Sequence, residues 1–394
     1  MSLDTHETRS QDAREAGQLS AAQEIFPQAG LTSLADLAAL PVMRKDALHQ
    51  AQVENPPFGA VHARNVSHIF QSPGPIYEPG GLRADFWRMG RFLRAMGFGP
   101  TDIAQNTFAY HFTPAGMMFE SAARALGIVV FPAGPGQTMQ QAEVAAAIGT
   151  TAYIGTPDYL ATILSKSEEM GLDLSRITKA AVSAGPLFPQ MRAAYEAKGI
   201  LCRQCYGTAD AGLIAYESAE SIDGMIVDED VILEIVVPGT GDPVGDGEIG
   251  EVLVTVLNPD YPLLRFSTGD LSAILPGQSP CGRTNKRIVG WRGRADQATK
   301  VKGMFIRPEQ VATLVARHAD VAKARVEVHR TDAGDEITVQ LETEATDPAA
   351  FQGSVSEVLK LRAKIDLVGI GTLPRDGIVI SDQRPALEQA VAGE

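Results

Sequence analysis

The sequence predicts an α/β protein with a large, doubly wound N-terminal domain, a β-rich subdomain and a small α+β C-terminal domain. Three observations carry this expectation. The chain has 394 residues, more than one hydrophobic core usually supports, so two domains are expected. Between residues 116 and 205, apolar runs of strand length alternate with segments of helical period, joined by short Gly/Pro links. Such alternation marks a mainly parallel sheet covered on both faces. Past Asp223 the texture changes to short β-rich segments separated by Gly, Pro and Asp turns.

Taken in order, residues 1–30 read as a loosely packed helical lead-in. A short helix is expected from Leu31, with Thr32 or Ser33 as its cap and Leu34, Leu37 and Leu40 on one face, ended by Pro41. A strand follows over 66–70, then a stiff loop over 71–81 with three prolines and three glycines. From Asp85 a helix is expected, with Phe86, Met89, Phe92, Leu93 and Met96 as its core stripe. Helix and strand then alternate as 116–126 with 128–131, 140–147 with 151–155, 157–170 with 179–183, and 189–198 with 200–205. Segments 231–236, 250–256 and 272–275 form the β-rich part. A boundary is placed at 290–294, giving domains 1–293 and 294–394. The second has strands at 324–329 and 336–342 and helices at 310–318 and 354–362.

Composition bounds the function. The balance of 48 acidic and 34 basic residues gives a net charge of -14, which argues against a nucleic-acid partner or an anionic membrane surface. Three cysteines do not make a disulfide framework. No run is long enough to span a bilayer, and the polar start lacks the apolar core of a signal peptide. A cytoplasmic, soluble protein is expected.

The candidate site starts from Tyr206-Gly207-Thr208-Ala-Asp210-Ala-Gly212. Here an apolar run breaks at Gly207 into a small-residue loop of the kind that meets ligands at strand ends. By itself the pattern is no more than a turn. Further stretches give it weight: Leu263-Leu-Arg265-Phe-Ser-Thr-Gly269-Asp270, Cys281-Gly-Arg-Thr284, and Gly293-Arg294-Ala-Asp296 running through Lys302-Gly303 to Pro308-Glu-Gln-Val. Together these resemble the adenylate-forming superfamily, and within it the phenylacetate-CoA ligase branch, from Leu31 to Arg384.

The resemblance implies the adenylate-forming enzyme fold and an AMP-forming ligase. Such a ligase activates an aryl or acyl carboxylic acid as an acyl-adenylate and passes it to CoA, with ATP and Mg²⁺ as cofactors. Asp270 would accept both ribose hydroxyls, so Asp270→Ala is expected to abolish nucleotide binding while hardly changing the melting temperature. Ala184, Gly185 and Pro186 would lie on adenine and Tyr206 would stack on it, with Gly207, Thr208, Arg294 and Gly303 also on the cofactor side. Asp210 would hold Mg²⁺. Asp210 and Lys302 are the catalytic candidates, and Asp296 is the hinge of a mobile small domain. Tyr110, His111 and Phe112 would line the acid pocket. A small carboxylic acid is the expected partner, and a homodimer is among the expectations because members of this branch often dimerise.

Two departures keep alternatives open. Where the family has a Ser/Thr/Gly phosphate loop ending in lysine, this chain has Ser72-Pro-Gly-Pro-Ile-Tyr-Glu78-Pro79. Two prolines remove amide donors and a carboxylate replaces the cation. Near the C-terminus the position of the family's adenylation lysine holds Ile378. The chain is therefore also read as a member that has lost adenylation and binds nucleotide, CoA or a partner, or that keeps only the thioester half-reaction. Some members of the branch carry a zinc site on paired cysteines; with only Cys281 there, no zinc is expected. Cys202 and Cys205 have CxxC spacing but should point to opposite faces of one strand.

Overall fold

The structure is a computed structural model that describes residues 7–72, 75–185, 187–245, 247–292, 295, 299–302, 304–306, 308–331, 334–374 and 379–384. It divides into two compact units, Met1–Arg292 and Gly293–Glu394.

The first unit begins with α1 (Gln11–Ile25), whose first turn is capped by the Ser10 hydroxyl on the amide of Ala13. The expected short helix follows as a 3₁₀ helix, Leu34–Ala39, with Ser33 as its N-cap. Asp36 folds back onto the amides of Thr32 and Ser33, which closes a tight turn too short for an α-helical ladder. The expected loose lead-in is corrected. Ala22, Phe26, Leu31 and Leu37 form one cluster with Ile232 and Leu257, and Arg14 pairs with Glu229 at 2.7 Å. Next come α2 (Lys45–Glu54), β1 (Val66–Ser72) and β2 (Ile76–Gly81). The last two make an antiparallel hairpin, so most of the expected loop at 71–81 is strand. Gln52 of α2 holds that strand by exchanging hydrogen bonds with the Tyr77 backbone.

Helix α3 (Met89–Ala95) starts later than the sequence suggests, because Asp85 and Arg88 both sit at positive φ and break the helical path. Then follow β3 (Ile103–Asn106), which the sequence reading missed, α4 (Ala115–Ala125), β4 (Val129–Pro132), α5 (Thr138–Ile148), β5 (Ala152–Gly155), α6 (Pro157–Glu169), β6 (Lys179–Val182), α7 (Pro189–Ala197) and β7 (Leu201–Thr208). Proline opens both α6 and α7, where its missing amide costs nothing. Strands β8 (Gly212–Ser218), β9 (Ser221–Val227), β13 (Ile274–Leu275) and β14 (Arg287–Ile288) extend the same sheet. Its order is β13-β14-β9-β8-β7-β6-β5-β3-β4. The half from β7 to β4 is parallel and the half from β7 to β13 antiparallel.

Two cores flank this sheet. Side chains of α5, α6 and α7 pack with Tyr153, Ala180, Val182 and Cys202. Those of α3 and α4 pack with Ala104, Ile154, Ala181 and Cys205. The alternation of strand side chains thus places Cys202 and Cys205 on opposite faces, as the spacing requires. A separate three-stranded sheet joins β10 (Val231–Val236), β11 (Gly250–Val256) and β12 (Leu263–Ser272). Met43 bridges to Phe266 along its β12 edge and Pro243 to Val236 along its β10 edge.

The second unit has a two-stranded ribbon, β15 (Thr299–Val301) and β16 (Met304–Ile306), then α8 (Pro308–Arg317), β17 (Val321–Thr331), β18 (Gly334–Thr343), α9 (Ala349–Leu359), β19 (Lys364–Val368) and β20 (Ile380–Asp382). The sheet order is β19-β18-β17-β20, and one core joins it to α8 and α9.

Asp85 supplies a pH test of the first unit. Its Oδ2 accepts from the Gly90 amide at 3.0 Å, while its Oδ1 is buried without a hydrogen-bond partner among the described residues. Burial pushes its pKa up to about 7. A carboxyl raised in the fold is protonated there while the unfolded chain is already ionised. Its contribution to stability therefore falls as pH rises from about 4 to about 7. Asp85→Asn keeps the acceptor for Gly90 without the charge. Urea unfolding should show the substitution stabilising by on the order of 2 kcal/mol more at pH 8 than at pH 5. An equal effect at both pH values would contradict the assignment.

Candidate active site

The site is built from β2, the β7–β8 turn, β12 and the segment leading into α2. Strand β7 continues through Gly207 and Thr208 before turning, so the expected loop shrinks to a tight turn at 209–211. Two glycines make that turn fit. A Cβ on Gly207 would lie 2.6 Å from the Gly212 oxygen, and one on Gly212, at φ +70°, 2.7 Å from the Trp87 oxygen. The Thr208 hydroxyl accepts from the Ala211 amide. Arg88 donates to Ala211 O at 2.7 Å and Leu213 O at 3.0 Å while its Nε holds Asp228 at 2.9 Å. Asp210 is thereby fixed by groups that sequence reading passed over.

Asp210 is buried. Its Oδ2 forms an ion pair with Lys45 Nζ at 2.9 Å, and among the described residues its Oδ1 has no hydrogen-bond partner. Lys45 is positioned because Met43 pairs with β12, its amide donating to Arg265 O at 3.0 Å and its carbonyl accepting from Ser267 at 2.8 Å. The Lys45 ammonium also lies over the Phe266 ring, 5.5 Å from its centre. No motif signalled Lys45, since its partner is 165 residues away.

Glu78 changes the meaning of the altered phosphate loop. Its side chain is completely buried, and Ser72 donates to it through both amide and hydroxyl. Burial, and then the charge of Asp210, push its pKa up to about 8 against the opposing bonds from Ser72 and the charge of Lys45. Burial thus favours the protonated carboxyl, which faces inward. The carboxyl that stands in place of the family's lysine is therefore held by Ser72 inside the fold. Residues 73 and 74 of this loop lie outside the described residues.

Asp270, near the end of β12, is also buried. Tyr206 donates to its Oδ2 at 2.9 Å and Trp291 Nε1 to its Oδ1 at 3.0 Å. Each carboxylate oxygen has two lone pairs, so one carboxylate can serve two donors side by side. Vicinal hydroxyls have that geometry. Tyr206 therefore orients the carboxylate, and Trp291 is a site residue that the sequence reading missed. By contrast Arg265, quoted beside Asp270 in the same motif, is structural. It is 1% exposed, forks onto Glu234 and donates to the carbonyls of Ala38, Leu40 and Gly241.

The remaining candidates separate. Ala184 and Gly185 follow β6, Ala184 exposed and at φ +60°. Ile69, Phe70, Gln71, Tyr77, His111 and Phe112 line an open pocket of about 330 Å³. Phe112 is 74% exposed at its rim. Tyr110 is not on that lining, and its hydroxyl accepts from Asn106 at 2.8 Å. Lys302 is exposed in the β15–β16 turn at φ +48°. Pro186, Arg294, Asp296, Gly303 and Ile378 lie outside the described residues. Among the described residues no group of three or more His, Cys, Asp or Glu could hold a metal ion. No described helix is long and apolar enough to cross a membrane.

No family model matches the chain. It is 31% identical to a phenylacetate-coenzyme A ligase from Aromatoleum evansii, over 85% of this chain and 78% of that one. It is 30% identical to the phenylacetate-coenzyme A ligase of Escherichia coli K12, over 86% and 80%. The chain belongs to the phenylacetate-CoA ligase family. Among solved structures, a 2-hydroxyisobutyryl-CoA ligase in complex with 2-HIB-AMP and CoA superposes with a TM-score of 0.78. That match covers 96% of this chain and 91% of that one at 23% identity. An o-succinylbenzoate CoA synthetase from Bacillus subtilis gives 0.60 at 15% identity, over 80% and 68%. Both likenesses establish that the phenylacetate-CoA ligase-like chain has the adenylate-forming fold.

Proposed function

We propose that the protein is an AMP-forming acid–CoA ligase. In the first step a substrate carboxylate oxygen bonds to the α-phosphorus of ATP, and the α–β phosphoanhydride breaks to release pyrophosphate. In the second, the CoA sulfur bonds to the acyl carbon, AMP leaves, and the thiol proton goes to solvent. The observation that carries this reading is the buried Asp270 carboxylate near the end of β12, oriented by Tyr206 and Trp291, an acceptor of the kind a ribose diol takes. Family membership supports the same reaction.

The residues take the following parts. Ala184, Gly185 and Pro186 lie against adenine beside Tyr206. The Asp210 Oδ1, without a hydrogen-bond partner among the described residues, fits a cation, and Mg²⁺ would take its other ligands from phosphate and water. When bound, Mg²⁺ neutralises charge on the phosphates. Lys45 keeps a positive charge beside Asp210 where the loop has lost its lysine. Arg294, Asp296, Lys302 and Gly303 belong to the thioester step, in which the 294–394 domain swings about Asp296. His111 and Phe112 contribute to the acid pocket.

The test is ATP–pyrophosphate exchange with Mg²⁺ across a panel of aryl and alkyl carboxylic acids, followed by CoA-thioester detection. Exchange that depends on one class of acid, with thioester formed on adding CoA, is the expected result. Loss of the phosphate-loop lysine favours a second reading, a protein restricted to the thioester half-reaction. No exchange with any acid, but thioester from a supplied acyl-adenylate, would select that reading and reject the first.

A further inference from the structure

The three cysteines differ in chemistry. Cys202 and Cys205 are sealed in the two cores, and burial pushes both thiols up to about 12. Cys281 is only partly buried, in the turn before β14, and donors surround its sulfur. The Ser279 hydroxyl is 3.0 Å from Sγ, and Arg283 Nη1 donates to it from 3.4 Å. Burial alone would raise this thiol, yet the donors around it, Ser279 and Arg283 foremost, bring it below the ordinary cysteine value.

A second observation points to a group beyond the sulfur. Ser218, at the end of β8, is completely buried beside the same sulfur, and among the described residues its hydroxyl meets no partner in hydrogen-bond geometry. Arg283 is 5% exposed, and its Nε likewise has none. Buried polar atoms left unpaired are costly, and an oxygen bonded to Sγ would give them an acceptor. Ser218 lies six residues along β8 from Gly212, roughly 20 Å from the Asp210 turn at strand rise, so the feature is remote from the ligase site.

We propose that Cys281 is a modification site: its thiol reacts with a small hydroperoxide and is held as the sulfenic acid by Ser279, Ser218 and Arg283. The thiolate sulfur bonds to one peroxide oxygen and the O–O bond breaks. The other oxygen leaves as hydroxide, or as alkoxide from an alkyl hydroperoxide, and takes up the proton that the thiol released, giving water or an alcohol. Sulfur is oxidised by two electrons and the peroxide is reduced. The guanidinium that stabilises the product also pairs with Glu7 at 3.1 Å, and the neighbouring Thr284 accepts from Arg14 at 2.9 Å. Oxidation therefore acts on the turn that ties down α1.

The experiment is peroxide treatment of the intact protein at neutral pH, trapping with dimedone and mapping by peptide mass spectrometry. A dimedone adduct is expected on Cys281 and on neither Cys202 nor Cys205. Ser218→Ala and, separately, Ser279→Ala should lower its yield by roughly tenfold, the worth of one hydrogen bond to a charged group, with circular dichroism unchanged. Absence of the adduct would overturn the proposal. So would labelling of Cys281 no faster than in the urea-unfolded chain. An unchanged yield in both serine variants would remove the role given to the donors.

Discussion

Asp270→Asn should lower acid-dependent pyrophosphate exchange by at least about a hundredfold. The substitution removes the charge and turns one acceptor into a donor, so at most one ribose hydroxyl keeps its partner. Hydrogen bonds to charged groups contribute about 1.5–3 kcal/mol each, and two of them account for a loss of roughly 10²–10⁴. AMP affinity, read by equilibrium dialysis, should fall in step, and unaltered affinity would remove Asp270 from the nucleotide site. The structure also revises what Asp270→Ala should do. Tyr206 is 8% exposed and would lose the acceptor for its hydroxyl. Alanine should therefore lower stability by about 1–3 kcal/mol, contrary to the sequence-based expectation of an unchanged melting temperature. Asparagine is the cleaner probe because its carbonyl still accepts one of the two donors.

Arg265→Leu should destabilise the first unit by about 3–5 kcal/mol, the range for breaking a buried ion pair from one side. The guanidinium ties β12 to Glu234 of β10, to the carbonyls of Ala38 and Leu40, and to Gly241. Its removal strands the Glu234 carboxylate, which is only 15% exposed, and leaves three carbonyls short of a donor. The melting temperature should fall by roughly 10 °C or more. Arg265→Lys should recover only part of this, because an ammonium cannot fork onto a carboxylate. Leucine at both 265 and 234 should be more stable than Arg265→Leu alone, since no buried charge then lacks a partner. A melting temperature within about 2 °C of the parent for Arg265→Leu would refute this account.

These two residues show how far the sequence could be read. Asp270 and Arg265 sit five positions apart in one recognisable motif, and that motif suggested a common purpose. Burial and partners separate them into a ligand-binding carboxylate and a structural fork. The alternation between 116 and 205 was legible because buried parallel strands appear as short apolar runs between helices that carry their own proline starts. Strand β2 was not, because Pro79, Gly80 and Gly81 read as a breaker. They are tolerated there because β2 belongs to a two-stranded hairpin and needs no partner on its other side. Lys45 and Trp291 were invisible for a different reason: each acts through a contact distant in sequence, and neither stands in a local pattern. The direction in which Glu78 faces was equally hidden. Alternation along a strand assigns a side only when the register is known, and the register of β2 depends on Gln52 of α2 and Ser72 of β1.

The single-residue bridges at Met43 and Pro243 also bear on solubility. A three-stranded sheet ordinarily offers two rows of free amides and carbonyls to a neighbouring molecule, and open edges of that kind recruit further strands into aggregates. Here the backbone of Met43 occupies the middle of the β12 edge, and the opposite edge meets a residue that has no amide proton to give. The apolar β10–β12 ribbon, rich in valine, leucine and isoleucine, is thereby guarded at both margins against edge-to-edge association. The same short stretch of chain that brings an ammonium to Asp210 is one of the two guards.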